Sequence, residues 1–116
     1  MDAPHKKLNV CILSMNLVEL IYKITKDYPT QEMYGLCSQM RRASISVPSN
    51  IAEGDLGRTN RDFKHYLLIS LGSLSELDTQ IELSFRLGYI TENQTQEVQK
   101  NDKSNKSINH WTSKIS

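Results

Sequence analysis

The sequence has 116 residues, with 14 Lys and Arg against 13 Asp and Glu, so its formal net charge is +1. This length accommodates one hydrophobic core, and we predict a single domain over residues 1–116. The balanced charge argues against a protein that coats nucleic acid, because such proteins normally carry a large basic excess. No apolar run reaches membrane-spanning length and residues 1–7 lack the apolar core of a signal peptide, so we expect a cytoplasmic protein without membrane contact.

The first predicted helix spans residues 8–27, after an N-terminal tail of residues 1–7, and carries two apolar stripes. One stripe is Cys11–Met15–Val18–Tyr22 and the other is Leu13–Leu17–Leu20–Ile24. A helix with so wide an apolar surface has to be covered on two sides. We expect one stripe to pack in the protein's own core and the other to suit a neighbouring subunit.

The second helix is predicted over residues 31–53. Pro29 disfavours helical geometry in the residue before it, and Thr30 is a natural N-cap. Pro48 lies inside this helix and removes one backbone hydrogen bond, so we predict a kink there.

A third helix is predicted over residues 59–87. Thr59 and Asp62 have the spacing of a capping box at its start, and Gly88 is well placed to end it.

The fourth helix, over residues 91–115, opens with a second capping-box pair, Thr91 and Gln94, but is weak. No apolar residue occurs between Val98 and Ile108. The four segments together predict an all-α fold, an antiparallel up-and-down four-helix bundle.

Two cysteines, Cys11 and Cys37, are too far apart in this arrangement to form a disulfide. Pairing of the first two helices places Cys37 opposite Ile21, and the remaining ten residues to Cys11 correspond to about 15 Å of helix. We predict two reduced, buried thiols.

A polar stripe accompanies the apolar one on the second and third helices. Antiparallel pairing about the turn at residues 54–58 puts Glu76 near Gln39, Ser73 near the two arginines at 41 and 42, and Glu53 near Arg61. Three interpretations remain open: an internal network that fixes helix register, a network between subunits, and a ligand or catalytic site. The candidate residues of this network are Gln39, Arg41, Arg42, Asn50, Glu53, Ser73, Glu76 and Gln80.

Basic residues suggest a second kind of surface. Arg58, Arg61 and Lys64 cluster near the start of the third helix and are candidates for contact with RNA or DNA. Repetition of this cluster in an oligomer would concentrate charge that the net charge hides. The other interpretation is an ordinary solvated surface.

Catalytic and metal-binding patterns are weak. Asp62 and His65 are the one partial match to the Glu-x-x-His motif of di-iron bundles. We found no Ser–His–acid arrangement, phosphate-binding loop or zinc-ligand spacing. The sequence predicts no enzyme activity, no cofactor, no metal and no small-molecule substrate.

Several ungapped strings resemble a known family. They are YGL, SQMRRA and SVPSNIAEG between residues 34 and 54, GR at 57–58, LGSLSEL at 71–77 followed by Gln80, and LGY at 87–89. They are similar to the four-helix-bundle proteins encoded in intervening sequences of 23S rRNA genes. A related branch comprises accessory variability determinant proteins of diversity-generating retroelements, which bind a reverse transcriptase and nucleic acid.

This resemblance implies a ring-like homopentamer with no enzymatic role. Our leading hypothesis is a homo-oligomeric scaffold or adaptor whose main partner is itself. The alternative is an accessory protein that binds ribosomal or retroelement RNA, or an RNA-associated protein.

Overall fold

A computed structural model describes residues 4–56 and 59–114, including their side chains except those of residues 4–8, 103–106 and 114. Every regular element in these ranges is a helix, so the predicted all-α class is confirmed. The number of α-helices there is five, one more than predicted. In chain order the elements are α1 (Pro4–Thr25), a 3-10 helix (Thr30–Glu32), α2 (Leu36–Gly54), α3 (Asn60–Arg86), α4 (Glu92–Asn101) and α5 (Lys103–Lys114).

The predicted fourth helix is divided at Asp102, where the backbone leaves helical geometry with φ −77° and ψ 24°. α4 buries Val98, and α5 buries Ile108 and Trp111. Because no apolar residue lies between Val98 and Ile108, a straight helix would have nothing to bury along that length. The break at Asp102 lets α4 and α5 each pack on α1 and α3.

The start of the second helix is also corrected. α2 begins at Leu36, and the Thr30 side chain caps no helix, since Thr30 is itself the first residue of the 3-10 helix. Successive i→i+3 backbone bonds continue this tight turn up to the N–H of Gly35. The Glu32 carboxylate then accepts the Leu36 N–H at 3.4 Å. Pro48 lies inside α2, and the kink there stays a prediction.

The ends of the other helices follow their local signals. The Thr59 hydroxyl accepts the N–H of Asp62 at 3.0 Å at the start of α3. Gly88 has φ +80° after α3, a left-handed conformation that glycine adopts without steric cost. Thr91 and Gln94 form the complete, reciprocal capping box at the start of α4.

The core lies where α2 packs between α1 and α3, with α4 and α5 covering the side of α1 and α3 away from α2. Gly54, at the end of α2, approaches Phe63 near the start of α3, and Met40 lies beside Ser84 near the end of α3. No helix in the described ranges has the length and hydropathy needed to cross a membrane. The fully buried large side chains include Leu17, Ile21, Met40, Val47, Ile51, Phe63, Leu67, Leu74, Leu77 and Ile108.

Candidate interaction surfaces

The side chains of Arg41 and Arg42, adjacent in sequence, lie toward different sides of α2, although both border the groove described below. The Nε of Arg41 donates to the Thr25 hydroxyl at 2.9 Å, and its guanidinium carbon lies 4.6 Å from the centre of the Tyr22 ring. Arg41 therefore packs on α1. Arg42 is exposed and borders a cavity of about 220 Å³ that Glu76 of α3 also lines. The 100° turn per helical residue separates the two guanidinium groups.

Small polar side chains connect α2 with α3. The Ser73 hydroxyl donates to the Ser46 hydroxyl at 2.8 Å, and the Asn50 amide donates to the same oxygen at 2.9 Å. One turn toward the chain reversal, the buried Ser70 hydroxyl donates to the carbonyl of Val47 at 3.0 Å. Asn50 and Ser73, two of the predicted network residues, are thus joined through Ser46.

Three other predicted network residues stay apart. Gln39, Glu53 and Glu76 are exposed, and their side chains form no hydrogen bond or ion pair within the described part of the chain. The pairs considered for Glu76 with an arginine and for Glu53 with Arg61 are therefore not formed within one chain. Whether these side chains act between subunits is a separate question.

The register of α2 against α3 explains the difference. Ser73 lies opposite Ser46, about one helical turn from the arginines that we expected there. The expected pairing assumed that the chain reverses direction at the middle of the turn between α2 and α3, residues 54–58. In the observed register Gly54 packs closely on the Phe63 ring, where a Cβ at Gly54 would lie 2.8 Å from that ring.

Gln80 is a buried member of the predicted stripe, only 7% exposed. Its side-chain oxygen accepts no hydrogen bond within the described ranges, although its backbone carbonyl accepts the Ser84 hydroxyl at 2.8 Å. A buried acceptor without a donor costs on the order of 1–3 kcal/mol, so Gln80 does not stabilise the α2–α3 contact as a network member would.

The two stripes of α1 have different surroundings. Leu17, in one stripe, is 1% exposed. Met15 and Tyr22, in the other, are 57% and 41% exposed. The expectation that α1 has an apolar side beyond the core is therefore confirmed for these positions, and the structure identifies which stripe remains at the surface.

This surface stripe continues into a groove between α1 and α2 of about 540 Å³. Tyr34, in the turn before α2, is 96% exposed at its edge. Met33, Tyr34 and Ile45 were not among the predicted site residues, because the candidate site was sought in the polar stripe of the second and third helices and not on this face. The groove is lined by Tyr22, Met33, Tyr34, Ser38, Arg41, Arg42 and Ile45.

The candidate nucleic-acid residues lie near the start of α3. Arg61 is exposed and Lys64 is partly exposed. Arg58 lies outside the described residues. The His65 ring contacts the Tyr66 ring edge-on, with centroids 5.3 Å apart. The described residues contain no group of three side chains able to hold a metal ion.

Cys11 and Cys37 are both reduced, as predicted, but only Cys37 is buried. Burial raises the pKa of the Cys37 thiol, and the nearby charge of Arg41 opposes this shift. The thiol also lies 3.6 Å from the carbonyl oxygen of Thr25, which it contacts as a weak donor. These features describe a core thiol with little nucleophilic character.

Comparison with known proteins places this geometry in a family. A crystal structure of a protein of unknown function from the S23 ribosomal protein family of Bacteroides thetaiotaomicron is similar, with a TM-score of 0.83 and 24% identity. The alignment covers 93% of this chain and 98% of that chain, and at this identity it supports the fold alone. No curated protein matches the chain significantly. Residues 6–110 match the family described as 23S rRNA-intervening sequence protein, and the chain belongs to that family.

Proposed function

We propose that this protein is a non-enzymatic, homo-oligomeric scaffold or adaptor of the cytoplasm. In this proposal each chain forms an antiparallel up-and-down bundle in which α4 and α5 together occupy the place of a fourth helix. Copies then associate into a ring, which we propose to be a pentamer.

The observation that carries the proposal is the uncovered apolar stripe of α1. Met15 is more than half exposed and Tyr22 is 41% exposed, on a helix whose other stripe is mostly buried. Contiguous exposed apolar surface of this kind is typical of protein contact sites. A second subunit would remove these side chains from water, and a chain of 116 residues has only a modest core of its own.

A structural role for the polar residues supports the non-enzymatic part. Ser14, Ser44 and Ser84 each donate a hydroxyl hydrogen bond to a carbonyl one helical turn earlier. Ser46 and Ser73 are engaged with each other. Hydroxyl groups in such bonds satisfy buried polar atoms, and among the described side chains no hydrogen bond joins one of these serines to a histidine.

The test is the mass of the native protein by light scattering, at low and high salt. The chain has a mass of 13.3 kDa, and we expect an integral multiple of it that persists at high salt, since the contact is largely apolar. A monomer at micromolar concentration would contradict the homo-oligomer.

A second candidate function is binding of RNA or an RNA-associated protein. Arg61 and Lys64 are three residues apart at the start of α3 and therefore share one face of the helix, where both reach solvent. Affinity for structured RNA should then fall steeply with salt, and the double change Arg61→Ala and Lys64→Ala should reduce that slope. Binding that is absent, or insensitive to salt, would remove this candidate.

A further inference from the structure

We propose that the groove between α1 and α2 of one copy receives the outer face of α3 of a second copy, with Arg41 of the first paired to Glu76 of the second. This inference rests on the proposed homo-oligomer. It adds which two surfaces meet and that the copies associate head to tail. The contact is heterologous, which means that two different surfaces of the same chain meet.

Arg41 gives the groove a fixed charged group. Its Nε is held by the Thr25 hydroxyl at 2.9 Å and its guanidinium plane lies against Tyr22. Its terminal nitrogens have no hydrogen-bond partner within the described ranges. A guanidinium group positioned in this way is suited to a carboxylate, because the fork geometry loses little freedom on binding. Apolar side chains surround it: Tyr22, Met33, Tyr34 and Ile45.

The outer face of α3 supplies the matching chemistry. Leu68 and Leu83 are about half exposed, and Gly72, Glu76 and Thr79 lie between them at helical spacing on the same side. A Cβ built at Gly72 would meet no atom within 4 Å, so the backbone there is open to a close approach. The leucines at both ends provide apolar contact, and the notch at Gly72 lets the helix approach the groove closely.

The charges decide between this arrangement and a symmetric pairing. A groove facing a second groove would bring Arg41 and Arg42 against the same residues of the other copy. Two α3 faces in contact would bring Glu76 against Glu76. Only the pairing of groove with α3 sets an arginine against a carboxylate that has no ion-pair partner in the described part of its own chain.

The position of the two surfaces allows the contact to repeat. α2 packs between α1 and α3, so the groove and the outer face of α3 lie on different sides of one molecule. A copy bound through its α3 face therefore keeps its own groove open for the next copy. Heterologous contacts of this kind close into a ring when the rotation between neighbours permits.

Charge reversal tests the pairing by light scattering. We expect Arg41→Glu and Glu76→Arg each to lower the oligomer mass toward the 13.3 kDa of one chain, and the double variant to restore it. Lys23→Glu is the matched control, because Lys23 is exposed on α1 and does not line the groove. Circular dichroism verifies folding. Glu76→Arg breaks no hydrogen bond or ion pair in the described part of the chain, although it faces Arg42 across their shared cavity, so it keeps the test informative if Arg41→Glu unfolds.

Disulfide cross-linking tests whether the groove of one copy contacts α3 of the next copy or a second groove. Ser38 lies one turn before Arg41 and Thr79 lies one turn after Glu76, so these positions meet when α2 of one copy and α3 of the next run antiparallel, which the proposal includes. In a Cys11→Ser background, which removes the partly exposed native thiol, the double variant Ser38→Cys/Thr79→Cys should give a ladder of cross-linked species under mild oxidation. Each single variant in that background, and Cys11→Ser alone, should give none. Cross-linking in Ser38→Cys alone would indicate a symmetric groove contact and overturn the proposal.

The outcomes separate this inference from the proposed function. An oligomer whose mass is unchanged by both single reversals would overturn the contact and leave the homo-oligomer intact; RNA or another protein would then be the occupant to test in the groove. A double variant that folds but stays dissociated would also overturn it. A monomeric unmodified protein would overturn both.

Discussion

The two sides of α2 meet their neighbouring helices through different chemistry. Toward α3 the contact includes small residues at close approach, with Gly54 against Phe63 and a hydroxyl bond between Ser46 and Ser73. Toward α1 the long side chains of Arg41 and Tyr22 meet at the surface and border an open groove. Small residues let two helices approach until their polar groups satisfy each other, whereas long side chains hold the helices apart and leave surface for a partner. The first side therefore stabilises one chain, and we propose that the second serves association.

The largest effect should come from Gly54→Ala. The added Cβ would lie 2.8 Å from the Phe63 ring and 3.0 Å from the Cβ of Tyr66, so the packed pair has to separate. We expect a loss of stability of about 1–3 kcal/mol, as in other overpacked cores. Thermal unfolding measures it, and the fluorescence of Trp111 should change because its ring lies edge-on against Phe63, 4.7 Å away.

Gly72→Ala is the matched control on α3. Its Cβ would meet no neighbouring atom, so the higher helix propensity of alanine should raise stability by up to about 1 kcal/mol. Equal effects at the two glycines would show that close packing does not distinguish the α2–α3 contact.

The next effect concerns the α1 side and compares adjacent arginines. Arg41→Ala removes the bond to Thr25 and the contact with the Tyr22 ring, and we expect a cost of about 1–2 kcal/mol. Arg42→Ala removes an exposed side chain and should change stability by less than about 0.5 kcal/mol. Chemical denaturation at a concentration where the protein is monomeric separates this comparison from association. Equal costs would contradict the assignment of the two residues to different sides of α2.

A smaller effect should appear in the α2–α3 hydroxyl pair. A double-mutant cycle with Ser46→Ala and Ser73→Ala isolates their bond, for which we expect a coupling of about 0.5–1.5 kcal/mol. Coupling near zero would mean that the small size of the serines, and not their hydrogen bond, holds the two helices together.

The smallest effect is expected at Asp78, on the side of α3 that faces α4, and it serves as a baseline for the larger effects. Desolvation raises the pKa of the Asp78 carboxyl group above its usual 3.8, and a hydrogen bond with Asp102 opposes the shift. The folded chain therefore binds the proton more tightly than the unfolded chain, and stability falls as pH rises above 3.8 through the folded-state pKa. Asp78→Asn should raise the free energy of unfolding at pH 7 by less than about 0.5 kcal/mol, because solvent screens the charge of this exposed group. The melting temperature should rise accordingly.

This gain should shrink as the pH is lowered toward 3.8, where the natural carboxyl group is also protonated. A gain that is independent of pH would exclude the ionisation of Asp78 as its cause.

Local signals predicted the helix ends well, because each depends on residues within one turn. Gly88 and the Thr91–Gln94 box have the predicted geometry, and Thr59 forms one of the two bonds of its predicted box, accepting the N–H of Asp62. Where a local signal failed, a competing local contact was responsible: Glu32 caps α2, so the helix begins five residues later than the signal at Thr30 suggested.

The candidate site was only partly predictable. Asn50 and Ser73 were identified as network residues and are connected, whereas Glu53 and Glu76 are exposed without partners in the described part of their own chain. Their assignment depended on the register of α2 against α3. That register depends on how the two helix surfaces fit together, including the close approach of Gly54 to the Phe63 ring, and a periodic pattern contains no information about it.

The sequence by itself determined that the chain is helical, that α1 has two apolar stripes and that α2 and α3 carry polar residues beside their core positions. These properties follow from the helical period of about 3.6 residues, which can be read from residues that are close together in the sequence. The tertiary structure decided which stripe of α1 stays at the surface and which neighbour each arginine meets. The reason is that burial depends on which helix packs on which face: α2, α4 and α5 pack on α1 and leave Met15 and Tyr22 partly exposed within one chain.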